Sequence, residues 1–361
     1  MKTKFVKLFF VFIILLCVTS SAYSQKEFFH SQHVFTKEQL SSFYSSVNIY
    51  DSLVIFNAND YHLYAYNKKD GSLKWSVETN YKSTIPVFVQ DGIIYAAISK
   101  KEVHQAAQFN LADGQLIKAL HFGPLATKPL IKNGMLYGTA IYNFGCILAY
   151  NLQKDTVAWS HFIAHGFSRQ PYFFEQKLMA NVEADNWVAI GYDGILLDTT
   201  CAAKAQVFVP DIPCVEKFTA LSHDGLEIKG KLSDNIFGEN FMDIPQIITS
   251  TNFTYILNDD KLSIISKKLK IKQQVNVSSL ADELADNYDT KLLKADDENV
   301  WLLYSYHLLQ YNHKTQKLVQ LTDLTAWQPN SVLLDEENIW LISGKDGLLY
   351  GLSLQEKTIS N

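Results

Sequence analysis

Ala65–Trp75 reads AYNKKDGSLKW. An apolar run enters, Asp70-Gly71 marks a tight turn, and a second run leaves through Leu73 to Trp75. Asp-Gly between apolar runs is a strong short-range hairpin signal. The frame recurs. Ala149–Trp159, AYNLQKDTVAW, repeats the Ala, the Asn and the Trp at the same spacing. Gln108–Lys118 keeps Asn110 and the Asp113-Gly114 turn and loses the Trp, and Gln310–Gln320 keeps Asn312 and Thr315 and also loses it. A unit that repeats in this way states an architecture.

Working outward, short apolar segments precede each frame: SLVIFNA, IIYAAIS, MLYGTAI, KLMANVE, TYILN, VWLLYS and IWLIS. Each belongs to a unit that reads as four short strands. The first strands of the units are expected near Ser46, Pro86, Pro129, Pro171, Ala205, Pro245, Asp289 and Pro329, in steps of 40, 43, 42, 34, 40, 44 and 40 residues. Tyr, Phe, Val and Ile crowd these segments, and aromatics make up 13% of the chain, which suits β structure. A four-strand period near 40 residues predicts an all-β fold, a single β-propeller of four-stranded blades. The spacing favours eight blades over residues 46–361, with 201–243 as a degenerate blade; seven blades with an insertion at 201–243 is the alternative. The last unit, ending GLLYGLSLQEKTISN, has three strands and little left for a fourth. An open ring would expose two sheet edges. Residues 25–45 are therefore the expected closing segment, with Glu27–Thr36 supplying the missing outer strand.

The first 24 of the 361 residues read as a secretory signal peptide: a basic start at Lys2, Lys4 and Lys7, an apolar core over Leu8–Val18, and a small-residue cleavage site at Ala22-Tyr23-Ser24. Leu16 stands before Cys17, where a lipidation signal wants a small residue. Removing this segment takes away three lysines and no acids, so the formal net charge moves from −5 to −8. Arg169 is the sole arginine. Nucleic-acid readers carry basic patches and arginine forks, so no nucleic-acid partner is expected. No further apolar run reaches membrane-spanning length, which leaves the mature chain exported, periplasmic or secreted, and peripheral to a membrane at most. Cys146, Cys201 and Cys214 remain. Cys201 and Cys214 are a candidate disulfide, which would stabilise by roughly 3 kcal/mol if formed, and Cys146 reads as a buried free thiol.

The frame Ala-x-Asn-x-x-x-Gly-x-x-x-Trp resembles the repeat of the pyrroloquinoline-quinone-like β-propellers. Ala65, Asn67, Gly71 and Trp75 match it, and Ala149, Asn151 and Trp159 match it with Asp155 in the glycine place. The resemblance implies that Trp75 and Trp159 dock between adjacent blades. One group of that family, the quinoprotein dehydrogenases, holds its quinone over adjacent cysteines and beside a calcium site; no two cysteines are adjacent here. The other group comprises short exported propellers without a cofactor, among them the periplasmic scaffolds of the outer-membrane β-barrel assembly machinery. Length and unit spacing fit this second group, which implies no catalysis and no cofactor.

Residue chemistry adds little catalytic signal. His161 and His165 lie four apart without a convincing third metal ligand. The acidic runs Asn258-Asp259-Asp260 and Asp296-Asp297-Glu298 fall where hairpin turns belong and lack an alternating calcium-loop pattern. Loops leading to the inner strands carry Tyr81, Phe122, Phe167, Phe241, Tyr288 and Trp327 with Lys82, Lys128, Arg169, Asp243, Asp289 and Gln328 beside them. Aromatics with an arginine and a polar rim have the composition of protein-binding surfaces. Tyr81, Lys128, Phe167, Arg169, Tyr288, Trp327 and Gln328 are the candidate partner-binding residues, with packing between blades as the alternative role for each aromatic. The expected function is an exported scaffold binding a protein or peptide in the cell envelope through a channel mouth or a strand edge. The alternative is a small-molecule or quinone site in the central channel.

Overall fold

The computed structural model describes residues 26–40, 46–81, 87–142, 144–164, 171–174, 176–182, 186–197, 220–223, 226–229, 246–258, 260–266, 271–281, 284, 290–335 and 338–354. The signal segment, Cys201 and Cys214 lie outside these.

Every described sheet is antiparallel. Blade 1 is β2 (Ser46–Tyr50), β3 (Leu53–Asn57), β4 (His62–Asn67) and β5 (Leu73–Glu78). Blade 2 is β6 (Phe88–Gln90), β7 (Ile93–Lys100), β8 (Val103–Asn110) and β9 (Leu116–Ala119). Blade 3 is β10 (Leu130–Lys132), β11 (Met135–Tyr142), β12 (Phe144–Asn151) and β13 (Thr156–Ala164), and blade 4 is β14 (Tyr172–Phe174), β15 (Lys177–Val182) and β16 (Asn186–Ile190). A hairpin of β17 (Ala220–His223) and β18 (Leu226–Lys229) follows, with β17 beside β14. Blade 5 is β19 (Gln246–Thr249), β20 (Phe253–Asn258), β21 (Lys261–Ser266) and β22 (Ile271–Asn276), and blade 6 is β23 (Thr290–Ala295), β24 (Asn299–Tyr304), β25 (His307–Asn312) and β26 (Lys317–Asp323). Blade 7 is β27 (Pro329–Leu334), β28 (Asn338–Ser343) and β29 (Leu349–Ser353), completed by β1 (Lys26–His30). Two single-turn helices, α1 (Lys37–Leu40) and α2 (Val277–Leu280), complete the described elements.

The described residues thus form seven blades and one two-stranded hairpin, which corrects the expected eight. The reason is local. The 201–243 stretch has no Asn-turn-Trp frame, and its described part is a hairpin wedged between the inner strands of blades 4 and 5. The other first strands begin within two residues of their expected positions.

The expected turn at Asp70-Gly71 is longer than a two-residue hairpin: β4 ends at Asn67 and β5 begins at Leu73. Asn67 explains this. Its carboxamide oxygen accepts the Lys69 amide at 2.9 Å, and its carbonyl accepts the Gly71 amide at 2.8 Å. Asn110, Asn151 and Asn312 organise their turns in the same way, as expected of a residue that mimics a backbone turn with its side chain. The residue four beyond the Asn is left-handed: Gly71 (φ 71°), Gly114 (71°), Asp155 (60°) and Gln316 (58°). Where that place is glycine, something packs on it.

The apolar core lies between blades. One buried cluster joins blades 1 and 2 through Ile55, Leu63, Trp75, Val87 and Phe109, and another joins blades 7 and 1 through Trp340, Ile342, Phe56 and Tyr66. The Trp75 indole N–H donates to the Leu111 carbonyl at 3.0 Å, and a Cβ on Gly114 would stand 2.5 Å from its ring. Trp159 of blade 3 repeats this against blade 4, donating to the Tyr192 carbonyl at 3.0 Å and lying on Gly194. Phe29 of β1 lies on Gly71, so the N-terminal strand supplies both the missing backbone partner of β29 and a ring in the docking place. Among the described residues no helix is long and apolar enough to cross a membrane.

Candidate functional site

The seam between blades 2 and 3 departs from this scheme. Lys118 occupies the tryptophan place of blade 2, and Asp155 the glycine place of blade 3. The Lys118 ammonium donates to the Leu152 carbonyl at 2.9 Å, the counterpart of the carbonyl that Trp75 reaches, and to Asp155 Oδ1 at 2.8 Å. The Tyr150 hydroxyl donates to the same oxygen at 2.7 Å, and His121 Nε2 lies 3.2 Å from Oδ2. These partners, Lys118 foremost, hold the Asp155 carboxyl below the ordinary carboxylate range. An ion pair replaces the indole-on-glycine contact.

A cleft of about 490 Å³ opens there, lined by Val103, His104, Gln105, His121, Phe122, Cys146, Leu148, Val157 and Ser160. Its floor is apolar, with Phe122 and Leu148 buried. Val103 and Val157 on its rim are 52% and 39% exposed, against the burial expected of strand valines.

One wall is an unfinished sheet. β8 has eight residues and β9 has four, and the ladder between them covers Ala107–Phe109. The Ala106 amide and carbonyl are met by Phe122 and Leu120, beyond the end of β9. Gly123-Pro124 then turns the chain away, and proline has no N–H to extend the ladder. Alternate residues of a strand direct their backbone groups to the same edge. His104 therefore points its N–H and C=O outward as Ala106 does, and neither has a backbone partner among the described residues.

The cleft holds two histidines, a serine and a cysteine without assembling a nucleophile among the described residues. The Cys146 thiol donates to the Ala140 carbonyl at 3.5 Å, and burial pushes its pKa up. A nucleophilic thiol needs the opposite shift.

The residues expected at the channel mouth divide. Tyr81 is half-buried with its ring 4.9 Å from that of His104, which lines the cleft. Lys128 and Gln328 are exposed, Gln328 with φ 44°. Trp327 packs half-buried against Leu303, Leu308 and Leu324 in the blade 6–7 seam, edge-on to Tyr350 at 6.0 Å. Phe122 is buried against Tyr150. Phe167, Arg169, Tyr288, Phe241, Lys82, Asp243, Asp289 and His165 lie outside the described residues. His161 bonds the Gly194 carbonyl at 2.8 Å. Asp296 caps its own turn, accepting the Glu298 and Asn299 amides at 2.7 Å, and Asp297 accepts Ser250 and Asn252. No group of three or more metal-ligating side chains occurs among the described residues. Sequence reading missed the cleft; Gly123-Pro124, which ends the blade 2 outer strand early, was its available signal.

A family model described as outer membrane protein assembly factor BamB matches residues 32–121, the span from the N-terminal segment through blades 1 and 2. The chain resembles the pyrroloquinoline-quinone-like propellers. A solved structure, BamB from Moraxella catarrhalis, aligns at 12% identity over 88% of this chain and 84% of that one, with a TM-score of 0.44. No curated protein matches. The matched span contains one wall of the cleft, Val103 to Gln105 with β9, and ends at His121.

Proposed function

We propose that the chain is an exported, non-catalytic propeller scaffold of the cell envelope that binds an extended segment of a protein partner along the open edge of β8. One observation carries this reading: β9 stops short and leaves the His104 backbone groups unpaired above an apolar cleft. Such an edge accepts a peptide strand by main-chain hydrogen bonds, with alternate side chains entering the adjoining pocket. The BamB family model supports a scaffold role at the outer membrane. Residues 1–24, read as a signal peptide, support export.

A photo-crosslinking residue at Val103, introduced in cells, tests this. The expected result is one specific protein adduct that disappears in His104→Pro. That substitution removes the outward N–H while sparing the β7–β8 ladder, since proline is tolerated at a sheet edge. An adduct indifferent to His104→Pro, or adducts formed from Lys128 or Gln328 and not from Val103, would move the site to the channel mouth and overturn the edge reading.

A further inference from the structure

The segment that closes the ring carries a titratable group in its packed face. After β1, Ser31 is buried, donating its amide to the Leu349 carbonyl at 2.9 Å and accepting the Leu349 amide on its hydroxyl at 3.1 Å. The chain then crosses onto blade 1. His33 packs against Tyr64 with the rings tilted and their centroids 4.3 Å apart, and its Nε2 lies 2.8 Å from the Tyr66 hydroxyl. Phe35 and Leu40 follow, packed on Gly347 of blade 7. His33 is thus a polar contact between the strap and blade 1, set among rings.

We propose that residues 31–40 form an acid-released latch, with His33 as the group whose protonation loosens the strap and, through it, strand β1. The groups facing His33 come from β4 and the turn before it: Asp60, His62, Tyr64 and Tyr66. β3 presents Phe56 and the strap presents Phe35, neither of which titrates. Asp60 attracts a proton to His33 and His62 repels one, but Asp60 is engaged, accepting the Tyr64 hydroxyl at 2.6 Å and the His62 amide at 3.2 Å. Burial, with His62 on its side, outweighs Asp60 and lowers the His33 pKa below its ordinary 6.5. The closed strap therefore binds fewer protons than the released strap. Closure is complete above pH 6.5 and weakens as the pH falls through that value toward the lowered one. Release would uncover the outer edge of β29, a second backbone edge on the molecule.

Hydrogen exchange of the mature chain, read on amides 26–40 and corrected for intrinsic rates, decides it. Between pH 7.5 and 5.0 strap protection is expected to fall severalfold, while amides of β11 and β12 stay unchanged. His33→Phe keeps a ring on Tyr64 without a titrating nitrogen and is expected to hold protection level. His30, which pairs with Glu27 at 2.7 Å on the exposed side, is the control, and His30→Gln should leave the fall intact. A fall that persists in His33→Phe, or wild-type protection equal at both pH values, overturns the proposal. Should His33→Phe fail to fold, the imidazole resonance of His33 in the wild type serves. A midpoint below 6.5 that tracks strap opening supports the latch, and a midpoint at or above 6.5 with the strap closed refutes it.

Discussion

Two neighbouring seams solve the same problem with different chemistry. Between blades 1 and 2 the Trp75 indole lies on Gly114 and bonds the Leu111 carbonyl; between blades 2 and 3 the Lys118 ammonium pairs with Asp155 and bonds the Leu152 carbonyl. The donor atom reaches the same carbonyl of the repeat, and the left-handed residue beneath it, glycine or aspartate, keeps its φ near 60–70°. What changes is the volume filled. An indole buries a large apolar face and seals the seam. An ammonium on a flexible stem spans it without filling it, and the cleft at His121, Cys146 and Val157 lies in the same seam. The difference teaches that an ion pair can take the docking place of this repeat when both members change together, since lysine over glycine would lack a counter-ion and tryptophan over aspartate would collide with a carboxylate.

The sharpest break comes from the sealed seam. Trp75→Ala removes a buried ring and strands the Leu111 carbonyl, and is expected to cost about 3–5 kcal/mol, read by urea or thermal unfolding. Trp159, which is half-buried, should lose less under the same substitution. A Trp159→Ala loss equal to or larger than that of Trp75→Ala would mean that burial does not set the value of this contact.

The ion-paired seam should respond weakly and electrostatically. Asp155→Asn is expected to lower the melting temperature by well under half of the Trp75→Ala change, and high salt should erase the difference, because the pair is partly exposed. The pH dependence follows from direction. The Asp155 carboxyl is held below its ordinary 3.8, so its contribution is present above that value and is lost as the pH falls through the lowered one. A difference between wild type and Asp155→Asn that is unchanged as the pH falls well below 3.8 would contradict this assignment.

Much of the ring was legible because its signals are local. The Asn67, Asn110, Asn151 and Asn312 turns each sit within one hairpin, and the inner strands announce themselves by proline and apolar pattern. The closure by β1 followed from counting strands in the last unit. The count of blades was less legible, because 201–243 carries no frame to count. The exchange at Lys118 and Asp155 appeared in the sequence as two separate losses, a missing tryptophan in one unit and a missing glycine in the next. Only the packing of one blade on another makes them a single substitution. The same holds for the mouth aromatics: Phe122 and Trp327 spend their rings in seams, since a loop entering an inner strand passes between two blades before it reaches the channel.

The most direct test is the paired exchange Lys118→Trp with Asp155→Gly, run as a double-mutant cycle on unfolding free energy. Each single variant is expected to be less stable than wild type. The double variant is expected to be at least as stable as wild type, with the blade 2–3 cleft filled and the His104 edge adduct from Val103 diminished. Additive losses in the double variant would contradict the account, since they would show that Lys118 and Asp155 do not stand in for tryptophan and glycine.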